Sequence, residues 1–243
     1  PIADRAGFVA NSRSNTITVF DKRLGQTVAV IETCAGPAGM ALDQVGRRLY
    51  VACERDGEIQ AVDVTAAEVV ERVRLFPGDG PREIALTPDG ATLVSVNSGS
   101  DSISFFDSSS LVRRERVGVG SGPGAVVIDP DGRRAFVFNT LSSSVSVVDI
   151  TTRSLLATIA TESAPLRGQF SGRGDKLYVI HERSPYVTVL DPMQLTIITR
   201  ARLRIGVSAL AVDTIRNLVY VGGTNDTTIE FYDPNALVPV TSM

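Results

Sequence analysis

The chain has 243 residues and a net charge of −3, and its 24 Lys and Arg residues are scattered along the sequence. The basic patch of a nucleic-acid-binding protein is therefore absent, and we expect no nucleic-acid partner. No apolar run approaches the roughly 18 residues needed to cross a bilayer, so we expect a protein that does not span a membrane. The first residues show no export signal, and the compartment must be inferred from other features.

A unit of two strands joined by a small polar turn recurs along the whole sequence. Each copy ends in an aspartate, and successive copies are 42, 44, 42, 42 and 42 residues apart. A period of this size is typical of stacked supersecondary units. The six closing residues are Asp21, Asp63, Asp107, Asp149, Asp191 and Asp233.

Two further strands per unit are visible in the third and fourth copies. An entry strand follows a proline, at residues 81–87 and 123–129, and an exit strand follows the aspartate, at residues 112–119 and 155–161. We label the four strands A to D. Period-two alternation and β-branched residues predict an all-β chain, and four short strands per repeat predict a β-propeller of about six four-stranded antiparallel blades.

The repeat leaves no room for a second fold, so we predict one domain over residues 1–243. When the repeats are aligned on their closing aspartates, the first blade lacks its innermost strand. The last blade has a D strand near residues 237–243. The missing strand lies outside this sequence, or the blades belong to a larger propeller with a seventh blade; the sequence leaves both open. The predicted blades are approximately residues 1–37, 38–81, 82–123, 124–165, 166–207 and 208–243.

The B strands resemble the YVTN-type β-propeller repeat. The matching tetrapeptides are FVAN at 8–11, YVAC at 50–53 and FVFN at 136–139. Each is followed about six residues later by a strand that resembles ITVFD, the sequence at 17–21. The resemblance covers nearly the whole chain and implies kinship with surface-layer, lactonase-type and cytochrome d1-type propellers. It also implies a periplasmic, secreted or cell-surface location. It does not imply an activity.

The candidate site lies on the less repetitive face, which carries the B–C turns and D–A connections. The connection at residues 76–81 contains the two extra residues of the 44-residue step, and Arg82 and Glu83 follow it where other blades have small residues. With Arg167 of the fifth blade they could bind an anionic ligand at an axial opening. The alternative is that these side chains are solvated or pair with one another.

Three further residues end B strands on the same face. His181 stands where Asn97 and Asn139 stand in other blades. These three side chains are either turn residues bonded to nearby backbone or polar groups at the rim of a ligand site. A single His without clustered carboxylates predicts no metal site, and the absence of Cys-x-x-Cys-His excludes covalent c-type haem. We expect no cofactor, and no residue is predicted to be catalytic.

The cysteines, Cys34 and Cys53, are the only two in the chain and are 19 residues apart. Both are predicted on the same face of the second blade, so they either form a disulfide or remain two free thiols. A disulfide would favour an oxidising compartment.

These observations favour a non-enzymatic, exported binding module that holds a protein or small ligand on its axial loop face. One alternative is a propeller enzyme of the lactonase or lyase type that uses Arg82, Glu83, Arg167 and His181. A second alternative is a structural module of a surface layer.

Overall fold

The computed structural model describes residues 5–43, 45–203, 207–223 and 229–240. Its named elements are 22 β-strands. The chain divides into two compact units, unit 1 at Pro1–Gly118 and unit 2 at Val119–Met243. Each unit is described by itself.

Unit 1 contains three antiparallel sheets, β1-β2-β3, β4-β5-β6-β7 and β8-β9-β10-β11, which we call blades 1 to 3. Their strands are β1 Ala6–Asn11, β2 Thr16–Asp21, β3 Gln26–Glu32, β4 Pro37–Asp43, β5 Arg48–Cys53, β6 Glu58–Asp63, β7 Glu68–Arg74, β8 Pro81–Leu86, β9 Thr92–Asn97, β10 Ser102–Asp107 and β11 Arg113–Gly118.

Unit 2 contains blades 4 to 6, with strand orders β12-β13-β14-β15, β16-β17-β18-β19 and β20-β21-β22. Their strands are β12 Pro123–Ile128, β13 Arg134–Asn139, β14 Ser144–Asp149, β15 Ser154–Ala160, β16 Pro165–Phe170, β17 Leu177–His181, β18 Tyr186–Asp191, β19 Thr196–Arg202, β20 Val207–Asp213, β21 Leu218–Gly223 and β22 Ile229–Tyr232.

The predicted all-β propeller fold is confirmed, and in the residues that the structure describes its first blade has three strands, which correspond to B, C and D. In blade 6 the predicted D strand is represented by a bridge between Tyr232 and Pro239, and residues 241–243 lie outside the described ranges. The single-domain organisation stays a prediction.

Neighbouring blades bury both faces of β5, the B strand of blade 2. In β5, Val51 packs in a cluster with Ile17 of blade 1, whereas Tyr50 packs in a cluster with Leu93 of blade 3. Successive side chains of a strand point to opposite faces, so one continuous apolar strand serves two interfaces. Each blade is therefore stabilised chiefly by the blades beside it.

Hydrogen bonds at the A–B and C–D turns also join blades 2 and 3. The Tyr50 hydroxyl donates to the Ser108 carbonyl at 2.8 Å, and the Arg48 guanidinium donates to the Ser109 carbonyl at 2.9 Å. The tyrosine of the B strand thus satisfies its polar end at the edge of a buried apolar interface.

The closing aspartates form the C–D turns. Each side chain accepts hydrogen bonds from backbone N–H groups two and three residues later, or three residues later in blade 4, which is the pattern that a turn-forming Asp favours. These bonds lower the aspartate pKa values in blades 1, 2 and 4, and in blade 3 the side-chain hydrogen bonds from Ser109 and Arg114 are the main cause of the lowered pKa of Asp107. The aspartates are Asp21, Asp63, Asp107, Asp149, Asp191 and Asp233.

The A strands of blades 2 and 3 come close together at Gly39. A Cβ atom placed there would lie 2.6 Å from Glu83 Cα and 2.9 Å from the Arg82 carbonyl oxygen. Glycine is required at this position because backbone atoms of the next blade occupy the space of a side chain.

We predict that Gly39→Ala lowers the free energy of unfolding by about 1–3 kcal/mol, since the clash is with backbone that cannot rotate away. The matched control is Gly118→Ala, where a Cβ would meet nothing within 4 Å and φ is not positive. We expect the control to stay within about 0.5 kcal/mol of the parent. Urea unfolding of the three proteins measures the difference, and equal losses for both variants would contradict the close approach.

Candidate functional site

We define the near face of each unit by its B–C turns and D–A connections. In unit 1 it comprises residues 12–15, 33–36, 54–57, 75–80 and 98–101, and in unit 2 residues 140–143, 161–164 and 182–185.

The near face of unit 1 contains a disulfide. Cys34 in the β3–β4 connection is bonded to Cys53 at the end of β5, with 5.7 Å between their Cα atoms. Both residues are buried. Of the two alternatives that the sequence allowed, the structure has the paired one. Closing a loop of this length stabilises a fold by about 3 kcal/mol in the chain-entropy account.

Arg55 joins the near-face segments of blades 1 and 2. Its guanidinium donates to the Ser12 carbonyl at 2.5 Å and to Asn15 Oδ1 at 2.9 Å. Asn15 Oδ1 also accepts from the Gly36 amide at 3.2 Å. The Arg55 side chain covers Gly36 so closely that a Cβ there would lie 2.8 Å from Nε. Two turns and one connection are thus held together by one cation.

The lengthened connection before blade 3 is held by Asp79, whose side chain is fully buried. Its carboxylate accepts from the Phe76 amide at 3.0 Å, from the Ser100 hydroxyl at 2.8 Å and from the Arg116 guanidinium at 2.8 Å. A buried carboxylate needs this number of donors to offset its desolvation. The sequence predicted an unusual connection here but did not show that Asp79 orders it.

Arg82 and Glu83 begin the inner strand of blade 3. A register shift follows Pro81, so Glu83 pairs with Val96 while Arg82 lies in the irregularity. Arg82 is exposed and Glu83 is half-buried. A Cβ on Gly39 would lie 2.8 Å from the Glu83 Oε1 atom, so the carboxylate occupies space that glycine leaves.

In blade 5 of unit 2, Arg167 occupies the register position that Glu83 occupies in blade 3. It pairs with Ile180 after the same register shift, so its structural equivalent is Glu83 and not Arg82. Arg167 is exposed. Both arginines therefore lie on innermost strands of their own units, and their convergence on one ligand stays a prediction.

Asn97 is buried at the end of β9, in the B–C hairpin of blade 3. Its amide donates to the Ser102 hydroxyl at 3.1 Å and to the Ser104 hydroxyl at 2.9 Å, and its oxygen accepts from Ser95 at 3.0 Å. All four residues are buried. The side chain is satisfied within its own blade.

Asn139 is the equivalent residue of blade 4 and is also buried. Its amide lies 3.1 Å from the Ser144 hydroxyl and 2.9 Å from the Ser146 hydroxyl. With the amide oxygen turned toward the two serines, the amide nitrogen also donates to the Gly120 carbonyl at 3.3 Å. Neither asparagine lines a surface, and their role in ligand binding stays a prediction.

His181 takes the asparagine position in blade 5 and is 1% exposed. Its Nε2 atom lies 2.9 Å from the Thr188 hydroxyl. Burial lowers the pKa of His181 to about 4; the nearby Arg200 guanidinium acts in the same direction, and the backbone of Glu162 and Ser163 opposes it. The imidazole is therefore neutral at pH 7, which makes it a weak binder of anions but a good structural hydrogen-bonding group.

We predict that His181 makes the fold acid-sensitive between about pH 6.5 and pH 4. The unfolded imidazole takes up a proton near pH 6.5 while the folded one does not, so acidification favours the unfolded state. The contribution of His181 to the free energy of unfolding is complete above pH 6.5. It falls by at most about 1.4 kcal/mol per pH unit down to pH 4.

His181→Asn is the matched variant, because asparagine fills this position in blades 3 and 4. Between pH 7.5 and pH 5 we expect the parent to lose about 2 kcal/mol more than the variant. The turn aspartates of blades 1 to 4 do not interfere, since their pKa values are lowered from 3.8 and their contribution is lost only below that pH. Urea unfolding at both pH values decides, and parallel losses would rule out His181 as the source.

The described part of the chain has no group of three or more His, Cys, Asp or Glu side chains placed to hold a metal ion. In the same residues no helix is long and apolar enough to cross a membrane.

Comparisons with known proteins agree with the blade geometry. The family model "Lactonase, 7-bladed beta-propeller" matches residues 77–173, which include all of blades 3 and 4 and the first strand of blade 5. The chain is a β-propeller related to lactonase-type propellers. No curated protein sequence matches this propeller significantly.

Two solved structures show the same fold. The propeller is similar to Kuenenia stuttgartiensis hydrazine synthase, with 20% identity, a TM-score of 0.83 and coverage of 96% of this chain and 74% of that one. It is also similar to the β-propeller domain of Myceliophteria thermophila Cps50 (Swd1), with 13% identity, a TM-score of 0.75 and coverage of 97% and 85%. At these identities the likeness concerns the fold alone.

Proposed function

We propose that this propeller is a non-enzymatic binding module that receives a protein or small ligand on its near face. The observation that carries the proposal is the ordering of the unit 1 near face, where a disulfide, the Arg55 side chain and the buried Asp79 hold successive connections. Loops held in place before binding lose little entropy when a ligand arrives, so such a surface suits recognition.

Exposed charge gives this surface a chemical preference. Arg82 in unit 1 and Arg167 in unit 2 are both exposed on innermost strands, and Arg167 takes the register position that Ala125 and Ala209 have in other blades. Guanidinium groups bind carboxylates with two parallel hydrogen bonds. A carboxylate-bearing ligand, or an acidic segment of a protein, is therefore the partner that we propose.

The disulfide supports an extracytoplasmic location. Structural disulfides persist in the periplasm, at the cell surface and outside the cell, whereas cytosolic thiols are kept reduced. Cys34 and Cys53 are both buried, which is the environment of a structural bond. We propose the same compartment for the protein as a whole.

The lactonase-type match supports a second candidate, an enzyme of the lactonase or lyase type. The matched residues 77–173 include Arg82, Glu83 and Arg167. His181, which the sequence grouped with them, is buried and bonded to Thr188. A surface-layer module is the third candidate and would assemble through the sides of its blades.

We test the binding proposal with citrate as a carboxylate probe, using titration calorimetry at low ionic strength. We expect the parent to bind citrate and Arg82→Ala and Arg167→Ala each to weaken binding roughly ten-fold, since a charge-assisted hydrogen bond contributes about 1.5–3 kcal/mol. The control Arg23→Ala removes an exposed arginine from the C–D turn of blade 1.

Equal affinities for the parent, the two variants and the control would contradict the proposal. Hydrolysis of gluconolactone by the parent above the spontaneous rate, abolished by Glu83→Gln, would favour the enzyme instead.

A further inference from the structure

The far face of unit 2 carries a cleft that plays no part in the proposed function. Three turns enclose it: the β16–β17 turn of blade 5, the β20–β21 turn of blade 6 and the turn that follows β22. The cleft has a volume of about 410 Å³. Its polar lining residues include Ser171, Arg173, Lys176, Thr214, Asn217 and Asn235.

Hydrogen bonds between blades 5 and 6 fix the floor of this cleft. The buried Tyr178 hydroxyl donates to the Pro234 carbonyl, and the Lys176 ammonium donates to Asn235 Oδ1 at 2.8 Å. Gly172 of blade 5 also packs closely against Thr214 of blade 6, because a Cβ on Gly172 would lie 2.9 Å from Thr214 Cγ2. The cleft is therefore formed before any ligand binds.

The charge of the cleft is positive and only partly compensated. Within the described ranges Arg173 has no ion-pair partner, and it is exposed. Lys176 is bonded to a neutral amide. The one lining carboxylate, Asp175, accepts a hydrogen bond from the Ser171 hydroxyl at 2.6 Å. The lining thus contains two cations and one carboxylate that already has a donor.

A cleft of the same construction in unit 1 shows that blade architecture does not dictate this charge. It lies between the A–B turns of blades 2 and 3 and has a volume of about 540 Å³. Its described lining contains Asp43 and Asp89 but no lysine or arginine. The same crevice between blades is acidic in unit 1 and basic in unit 2, so the cations are a property of this particular cleft.

We propose that the far-face cleft of unit 2 binds a phosphate group, carried by a small phosphate monoester. Arg173 and Lys176 supply the charge, since guanidinium and ammonium groups are the usual phosphate partners. The Thr214 hydroxyl and Asn217 amide add neutral donors to the same lining. The volume leaves room for a small organic substituent beside the phosphate.

The test is titration of the folded parent protein with glycerol phosphate and with inorganic phosphate, followed by ³¹P NMR and calorimetry. Arg173→Gln is the first variant, because an exposed side chain can be changed without disturbing the fold. The matched control is Arg47→Gln, which removes an exposed arginine from the A–B turn of blade 2. We expect Arg173→Gln to weaken binding at least ten-fold and Arg47→Gln to leave it unchanged.

Lys176→Met provides a second variant, with circular dichroism as a check that it folds. Tighter binding of the ester than of inorganic phosphate shows that the protein also recognises the organic substituent. Equal binding of the two probes shows that it recognises the phosphate group alone. No binding of either probe by the parent, or equal losses in Arg173→Gln and Arg47→Gln, would overturn the proposal. Arg82→Ala must leave phosphate binding intact, so failure of this site and failure of the near-face proposal are distinguishable.

Discussion

A buried polar residue at the end of the B strand is the constraint on which blades 3, 4 and 5 depend. In blade 3 Asn97 pairs directly with Ser102 across the hairpin, and its amide reaches both Ser102 and Ser104. A one-residue slip would move these groups to the opposite face and leave a buried amide without partners. The register of the hairpin, and with it the burial of its apolar residues, is fixed by this contact.

Blade 1 keeps the asparagine, whereas blades 2 and 5 place a different side chain at this position. Asn11 reaches Thr16 and Thr18 in blade 1, at 3.2 and 2.9 Å. In blade 2 the amide is replaced by Cys53, whose disulfide holds the adjacent connection. Asn11 and Asn97 thus bond within their own hairpins, whereas Cys53 gives blade 2 a covalent bond and His181 gives blade 5 its predicted sensitivity to acid.

The sequence predicted the strands well because the repeat is written in short-range patterns. The closing aspartates bond to backbone two and three residues later, which is a local rule that six copies reveal together.

The positions of the candidate site residues were harder to predict from the sequence. Arg167 corresponds to Glu83 because each inner strand has a register shift after its proline. Alternation of side chains along a strand does not reveal such an irregularity.

Burial of individual polar residues was also beyond the sequence. His181 is predicted as a turn residue or a group at the rim of a site, and the sequence does not single out Asp79, yet both are 1% exposed. Their burial depends on side chains that are distant in the chain, such as Arg116, which lies 37 residues after Asp79. Contacts of this kind follow from the packing of whole blades and not from any local motif.

The most direct test of the structural account is Asn97→Leu, which keeps the approximate shape of the side chain and removes its hydrogen bonds. Three buried serine hydroxyls then lose a partner, and we expect the free energy of unfolding to fall by about 1–3 kcal/mol. Combining it with Ser95→Ala and Ser104→Ala should recover much of that loss, because removing both partners of a buried bond is nearly neutral, and Ser102 keeps its bonds to Ser100 and Arg116. Hydrogen exchange should be faster in β9 and β10 of the single variant. An Asn97→Leu protein as stable as the parent would contradict the claim that this buried contact fixes the blade.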